Sequence, residues 1–259
     1  MSFSAFAYAL GAAALALGIY TLARALLGRR ADDDDHNLSL AVITRLGTLH
    51  ALILALIFAA EMENYLGILK LVTNEVGAVA DTYYGTKRIA ADHPQTVEEI
   101  QKAIADYVHT VVQHEWALLA REKRLSDRAW SDYTIVDEAL LRLELESGYQ
   151  REIRRQLLED WDAVSQYRRG REAAALREVP GFFWVLAIAG FVAVVLPYYV
   201  FSPRKSHLLI LTLFGAFNGL VFHFIIELNQ PFDGDGAIEP VAFERLYAED
   251  MATASAAGR

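Results

Sequence analysis

The sequence lacks cysteine altogether. Disulfide bonds, thiolate nucleophiles and thiolate metal sites are therefore excluded, whereas the cellular compartment is left open. A surplus of positive charge is also missing: the formal net charge of −9 opposes binding to nucleic acid, and no long basic stripe offsets it. Enzyme motifs are absent as well, because the sequence has no nucleophile elbow, no phosphate-binding glycine loop and no His-Glu zinc motif. We expect neither an enzyme nor a nucleic-acid-binding protein.

Long apolar blocks are what the sequence has in abundance. Hydrophobic residues make up 54% of the chain, and they are concentrated in blocks although 22% of all residues are charged. A helix needs ~20 apolar residues to cross the ~30 Å of hydrocarbon in a bilayer, and the second block is shorter than this. The four blocks are Ala5–Ala23, Leu46–Ala60, Gly181–Phe201 and His207–Ile226. We predict an all-α protein that crosses a membrane four times.

The stretch between the second and third blocks is polar, helical in pattern and free of strand signals. We predict a first transmembrane pair with a short acidic loop, a helical extramembrane domain, a second transmembrane pair and a tail that carries a Pro-Phe-Asp-Gly motif. These four parts cover residues 1–60, 61–180, 181–228 and 229–259. The domain is expected to be a helical bundle that is continuous with the membrane helices.

Helix boundaries inside the domain follow from breakers and caps. No breaker follows the second block, so one helix should continue through Glu61 to about Tyr83. The spacing of Thr96 and Glu99 is that of a capping box and predicts the start of the next helix. Two further helices are expected over about Tyr133–Glu146 and Gly148–Arg177.

Small residues recur at helical spacing in the first and fourth spans. Such faces let two helix backbones approach closely in a membrane, so we predict helix packing there. The alternative is that alanine-rich membrane helices produce these patterns by chance. The residues are Ala7, Gly11, Ala14 and Gly18 in the first span and Gly215 and Gly219 in the fourth.

Several short motifs together resemble those of a known family. They are His36-Asn37, Asn74-Glu75, Tyr107, Glu115-Trp116, Pro180-Gly181 and, after the fourth span, Pro231-Phe232-Asp233-Gly234. In layout and motifs the chain resembles the bestrophin-like membrane proteins of bacteria and plastids, whose function is unknown. The resemblance implies four spans, a helical body and homo-oligomerisation. It also implies kinship with bestrophins, which are calcium-gated anion channels that assemble as pentamers.

Similarity to bestrophins, in which the second span forms the ion conduit, implies that this span lines a pore. Its apolar centre would be a constriction that gates by dewetting. Glu61 and Glu63 at its end would form an acidic mouth that favours cations, which disagrees with anion selectivity. The alternative is a span that packs against neighbouring helices and never meets water. The residues predicted to line the pore are Arg45, Thr48, Leu52, Ala55, Phe58 and Glu61.

Calcium is the one cofactor that the sequence suggests. The segment in which bestrophins wrap a calcium ion here carries Asp233, Asp235 and Glu239, interrupted by glycine. Calcium needs six to eight oxygen ligands, so three carboxylates leave several positions to other groups. The alternative is an Asp-Gly turn that docks the tail. A second acidic run, Asp32 to Asp35, is typical of a solvated charge run, with a divalent cation or basic partner as its alternative.

Arginines near the spans give two answers about orientation. Positive charges in the two short turns place these turns in the cytoplasm and the helical body on the non-cytoplasmic side, which is the arrangement we expect. Bestrophin analogy and four arginines before the third span favour the opposite. The turns contain Arg24, Arg29, Arg30, Arg204 and Lys205, and the four arginines are Arg168, Arg169, Arg171 and Arg177.

The sequence thus predicts a multi-pass protein of a bacterial inner membrane, in contact with membrane lipid. Its predicted function is ion conduction by a homo-oligomer. The competing hypothesis is a non-conducting scaffold or accessory subunit that binds other membrane subunits. A pore requires polar rings on one helix face with closed symmetry. A scaffold predicts lipid or partner helices against the second span.

Overall fold

The computed structural model describes residues 3–27, 33–143 and 147–252. Within these ranges every regular element is helical, which confirms the predicted fold class. The α-helices are α1 Phe3–Leu27, α2 Asp33–Thr86, α3 Pro94–Thr110, α4 Trp116–Glu122, α5 Asp127–Leu141, α6 Gly148–Ala175, α7 Gly181–Val195, α8 Lys205–Leu228 and α9 Val241–Leu246. Arg29, Arg30 and Asp32 of the predicted acidic loop lie outside the described residues.

Four helices are long and apolar enough to cross a membrane, which confirms the predicted spans. They are α1, α2, α7 with the 3₁₀ turn Leu196–Val200, and α8. The shortness of the second apolar block has a simple explanation, because α2 runs for 54 residues without a break. The prediction of one helix through Glu61 to Tyr83 is therefore confirmed.

The chain divides into two compact units. Unit 1 comprises Met1–Glu63 and Glu178–Asn229, and unit 2 comprises Asn64–Arg177 and Gln230–Arg259. In unit 1, α1 packs along α8, and Arg24 donates hydrogen bonds to the carbonyl oxygens of Tyr199 and Phe201 at 3.0 and 2.9 Å. These bonds tie the C-terminal turn of α1 to the chain between α7 and α8.

The core of unit 2 is built around aromatic side chains. Trp161 of α6 is fully buried, stacks on Tyr133 and donates from its indole nitrogen to the Tyr133 carbonyl oxygen at 3.1 Å. The segment after α8 is part of this core, because Phe232 and Phe243 both pack edge-on against Trp116. The residues that follow the last span are therefore integral to the folded unit.

Two predicted helix starts differ from the structure. The capping box at Thr96 and Glu99 is wrong, since α3 begins at Pro94, where the fixed φ of proline suits the first helical turn. Helix α5 begins at Asp127 and not near Tyr133, because the Ser126 hydroxyl caps it by accepting from the Ala129 amide.

Candidate functional site

One face of α2 remains uncovered along the whole second span. Of the four candidate spans α2 is the least buried, with 17% of its most apolar window covered. Exposed residues recur along it at steps of three and four, and together they form what we call the open face of α2. The open face comprises Arg45, Thr48, Leu52, Ala55, Ala59 and Glu63. It therefore holds four of the six residues predicted to line a pore.

The other two predicted residues lie elsewhere on the helix. Phe58 packs against a buried cluster that includes Leu54 and Ile57, and Glu61 is only 8% exposed. Because α-helical residues are spaced by about 100°, Glu61 lies about 200° around the helix from Ala59. The structure does not bring Phe58 and Glu61 to the open face, and Glu63 is the carboxylate that lies there. The acidic mouth predicted from Glu61 and Glu63 would therefore depend on Glu63 alone.

Helix spacing places Arg45 at the depth of the third span. His50, five residues further along α2, contacts Gly190 so closely that a Cβ atom there would lie 2.5 Å from the imidazole Nδ1. Gly190 is the tenth residue of the 20-residue span Gly181–Val200. Arg45 is about 7.5 Å along the helix axis from this mid-span position, well inside a half-thickness of about 15 Å. Arg45 makes no hydrogen bond or ion pair with any described residue.

A polar pair holds α2 to α8 inside unit 1. His50 Nε2 and Asn218 Oδ1 are 2.7 Å apart, and Asn218 Nδ2 donates to the Phe214 carbonyl oxygen at 2.9 Å. Both side chains are buried. An N–H on His50 Nε2 satisfies Asn218, and the bare Nδ1 then faces Gly190. This interhelical bond accounts for two of the few polar groups within the spans.

The predicted packing glycines have two environments. A Cβ atom at Gly215 would lie 2.8 Å from the Ala12 oxygen, and one at Gly219 would lie 2.9 Å from the Ala12 Cβ. Both glycines thus sit where α8 meets α1. Gly11 and Gly18 lie on another face of α1, where an added Cβ would meet no atom of the described residues within 4 Å. A packing role for Gly11 and Gly18 stays a prediction, and it would require another chain.

The segment after α8 forms a tight turn. The Gly234 amide donates to Asp233 Oδ1 at 2.9 Å, Gly234 has φ 88°, and the Ile238 amide donates to the Pro231 oxygen at 2.8 Å. Across the described chain no group of three or more His, Asp or Glu residues could hold a metal ion. Asp233, Asp235 and Glu239 are exposed and do not converge within one chain. A calcium site there would need further oxygen ligands from backbone carbonyls, water or a neighbouring subunit.

Unit 2 contains a buried ionic network that the sequence did not reveal. Arg171 donates from Nε and Nη2 to the two oxygens of Glu75 at 2.5 and 2.8 Å, and from Nη2 to Glu115 at 2.9 Å. Arg168 binds the other oxygen of Glu115 at 2.5 Å, and Tyr107 donates its hydroxyl to Glu75 at 3.1 Å. The negative charges of two carboxylates are thus neutralised by the positive charges of two guanidinium groups in the core.

The remaining donor of Arg171 faces aromatic rings. Its Nη1 is buried without a hydrogen-bond acceptor among the described residues. The guanidinium carbon lies 4.9 Å from the ring centre of Trp116 and 5.8 Å from that of Phe243. Such cation–π contacts stabilise a desolvated guanidinium. The network therefore links α2 and α6 to the segment that follows the last span.

Burial and charge act against each other on the network's pKa values. Burial raises the pKa of Glu75, and Arg171 opposes this rise. Burial disfavours the charge on Arg171, but Glu75 and Glu115 outweigh it and raise the pKa of Arg171. Burial also raises the pKa of Tyr107 well above its ordinary value, so its hydroxyl keeps the proton that it donates to Glu75.

The apolar stripe of α6 carries a signal that could have located the network. Buried residues recur along α6 at steps of three and four, and both arginines occupy this stripe. Arg168 and Arg171 are neutralised by buried carboxylates, so they do not count as free positive charges in the sequence before the third span. The stripe contains Leu157, Trp161, Val164, Arg168, Arg171 and Ala175.

The comparisons with known proteins agree with this architecture. The bestrophin-like domain family matches residues 10–243, and these include α2, the network and the turn after α8. The chain belongs to the bestrophin-like family. No curated protein matches the sequence significantly.

Solved structures show the same fold. Two single-residue variants of a bacterial bestrophin homologue from Klebsiella pneumoniae superpose on this bestrophin-like chain with TM-scores of 0.71 and 0.72. Their sequence identities are 12% and 13%, and the matches cover 97% and 94% of this chain and 99% of each homologue. A further crystal structure of a membrane protein gives a TM-score of 0.72 at 12% identity, covering 97% of this chain and 99% of that one. This bestrophin-like chain is thus a membrane protein with the bestrophin fold.

Proposed function

We propose that this bestrophin-like protein is a homo-oligomeric ion channel in which the open face of α2 lines the pore. The observation that carries the proposal is Arg45, a charged residue at membrane depth that has no partner among the described residues. Placing an arginine against lipid at the centre of a span costs about 2.5–3.5 kcal/mol or more. Intramembrane charges accordingly face bundle interiors or water-filled cavities. Copies of α2 around an axis would give Arg45 such a cavity.

The order of residues along the open face matches a gated pore. Arg45 and Thr48 are followed by an apolar stretch of Leu52, Ala55 and Ala59, and Glu63 follows. A ring of apolar side chains closes a pore by dewetting, and rings of arginine favour anions. With Glu61 buried, Arg45 is the one charge of the open face inside the hydrocarbon. We propose anion preference, in contrast to the cation preference inferred from an acidic mouth.

Reconstitution into planar bilayers tests conduction and selectivity together. Under a potassium chloride gradient, the wild type should give a reversal potential near the chloride equilibrium value. Arg45→Gln should move it towards the potassium value, and Arg45→Lys, which keeps the charge, should leave it in place. A wild type that conducts nothing, or that is a monomer after gentle solubilisation, overturns the channel proposal. That outcome would favour a scaffold or accessory subunit.

A further inference from the structure

Unit 2 has a cleft that is separate from both the open face and the ionic network. Its volume is about 370 Å³, within the range of small-molecule sites. The last turns of α2 form one wall and α6 forms the other. The residues that matter below are Asp81, Gly85, Arg88, Gln156, Leu157 and Asp160.

Gly85 and Leu157 lie at the floor of the cleft, where the two helices approach closely. A Cβ atom at Gly85 would lie 2.6 Å from Leu157 Cδ2, so glycine is what allows the Leu157 side chain to fill this position. Gly85 and Leu157 are both buried. A ligand in the cleft would lie with its hydrocarbon part over them.

The two ends of the cleft carry opposite charge. At one end Arg88 Nη1 donates to Gln156 Oε1 at 3.2 Å, which orients the guanidinium and leaves its other N–H groups available. At the other end Asp81 and Asp160 repel each other. The pKa of Asp160 is raised, first by burial and then by the charge of Asp81, and the opposing effect of Arg88 is smaller. Asp81 lies near the end of α2 and Arg88 lies in the 3₁₀ turn Lys87–Ile89 that follows it. The rises per residue of the two helix types separate their Cα atoms by about 11 Å.

We propose that this cleft binds a linear amino-carboxylic acid whose ammonium and carboxylate groups lie at opposite ends of a short hydrocarbon chain. The ammonium lies between Asp81 and Asp160 and relieves their repulsion. The carboxylate accepts charge-assisted hydrogen bonds from Arg88, and the methylene groups cover Gly85 and Leu157. A diamine would place its second charge against Arg88. A divalent cation would find two carboxylates where it needs six or more oxygens.

Titration calorimetry with the intact protein in detergent tests the proposal, with ε-aminocaproate as the probe. Binding should be at least tenfold tighter than that of hexylamine, of caproate or of glycine, each of which lacks one end or the spacing. Asp160→Asn and Arg88→Gln should each weaken binding at least tenfold. Glu98→Gln, an exposed charge change on α3, is the matched control and should bind as the wild type does.

Each result decides for or against the two-ended site. The proposal is overturned if ε-aminocaproate gives no binding heat with the wild type. It is also overturned if hexylamine binds equally well, because the acidic end alone would then account for binding. Equal affinity in Asp160→Asn and the wild type also overturns it. Thermal unfolding without ligand shows that each variant is folded, and neither Asp160 nor Arg88 is buried. Ion conduction is measured separately, so failure of the cleft leaves the channel proposal untouched.

Discussion

Arg171 donates two hydrogen bonds side-on to Glu75, from Nε and Nη2 to the two carboxylate oxygens at 2.5 and 2.8 Å. Both side chains are fully buried. The two residues are 96 positions apart in the sequence. Ion pairs of this kind are expensive to break singly, because the abandoned partner stays desolvated. The net contribution of such a pair to stability can be small. The cost of separating it is large, however, so the pair holds α6 in one position on α2.

Removing the Arg171 guanidinium should destabilise the protein strongly. We expect Arg171→Met to lower the free energy of unfolding by about 3–5 kcal/mol, since Glu75 and part of Glu115 lose their counter-charge. Arg142→Met removes an exposed pair with Glu138 and should cost no more than about 1 kcal/mol. Denaturant unfolding in detergent, followed by circular dichroism, measures both. Equal small losses would mean that the network adds nothing to folding.

Gly190 should not tolerate a methyl group. In Gly190→Ala the new Cβ would lie 2.5 Å from His50 Nδ1, and the Asn218 bond prevents the ring from moving away freely. We expect a loss of about 1–3 kcal/mol, the usual cost of overpacking. In Gly47→Ala on α2 the new Cβ would meet no atom of residues 3–27, 33–143 or 147–252 within 4 Å, so this change should be neutral or stabilising. Thermal melting of both variants checks this, and the idea fails if they melt alike.

Gly219 and Gly18 should respond differently to the same substitution. Gly219→Ala places a Cβ against the backbone of α1 near Tyr8, which cannot rotate away, so α1 and α8 must separate. In Gly18→Ala the new Cβ meets no atom of the described part of the chain within 4 Å. We expect Gly219→Ala, but not Gly18→Ala, to lower the melting temperature. If the Gly18 face meets lipid, Gly18→Ala should also leave the oligomer size unchanged. A smaller oligomer in Gly18→Ala would instead place a neighbouring subunit there.

Asp160→Asn should stabilise the protein in a pH-dependent way. Burial, Asp81 and Glu159 raise the pKa of Asp160 above its ordinary value of 3.8, so the folded protein binds this proton more tightly than the unfolded chain. The contribution of Asp160 is full below pH 3.8 and is lost as the pH rises through the folded pKa. Asparagine should therefore raise the melting temperature at pH ~7 but give no gain below the ordinary aspartate pKa of 3.8. The same gain at both pH values would contradict this assignment.

Calcium binding remains a prediction for the assembled protein. A site that takes ligands from two chains should be loosely organised, with a dissociation constant of about 10⁻⁴–10⁻³ M. Calcium should then raise the melting temperature of the wild type more than that of an Asp233→Asn, Asp235→Asn double variant, because the ion stabilises the state that binds it. Identical responses would leave Asp233 as an acceptor for the Gly234 amide and no more.

The spans and the unbroken α2 were predictable because they depend on local pattern. Apolar blocks mark the spans, and no proline occurs between Ala60 and Pro94. The side on which Glu61 lies was readable in principle from helical geometry, since it falls far from Arg45 and Ala59 on a helical wheel. The network was not predictable in this way. It depends on tertiary packing that brings Glu75 to Arg171, and no local rule pairs residues so far apart.

Arg171 and its partners also constrain how this sequence can evolve. A single change at position 75, 115, 168 or 171 leaves a desolvated charge behind, whereas a paired change to apolar residues of similar volume is close to neutral. Among bestrophin-like proteins these four positions should therefore vary together or not at all. An exchange of one guanidinium for a leucine should be found alongside the loss of a carboxylate at position 75 or 115. Covariation of this kind would identify relatives that keep the fold with a differently built core.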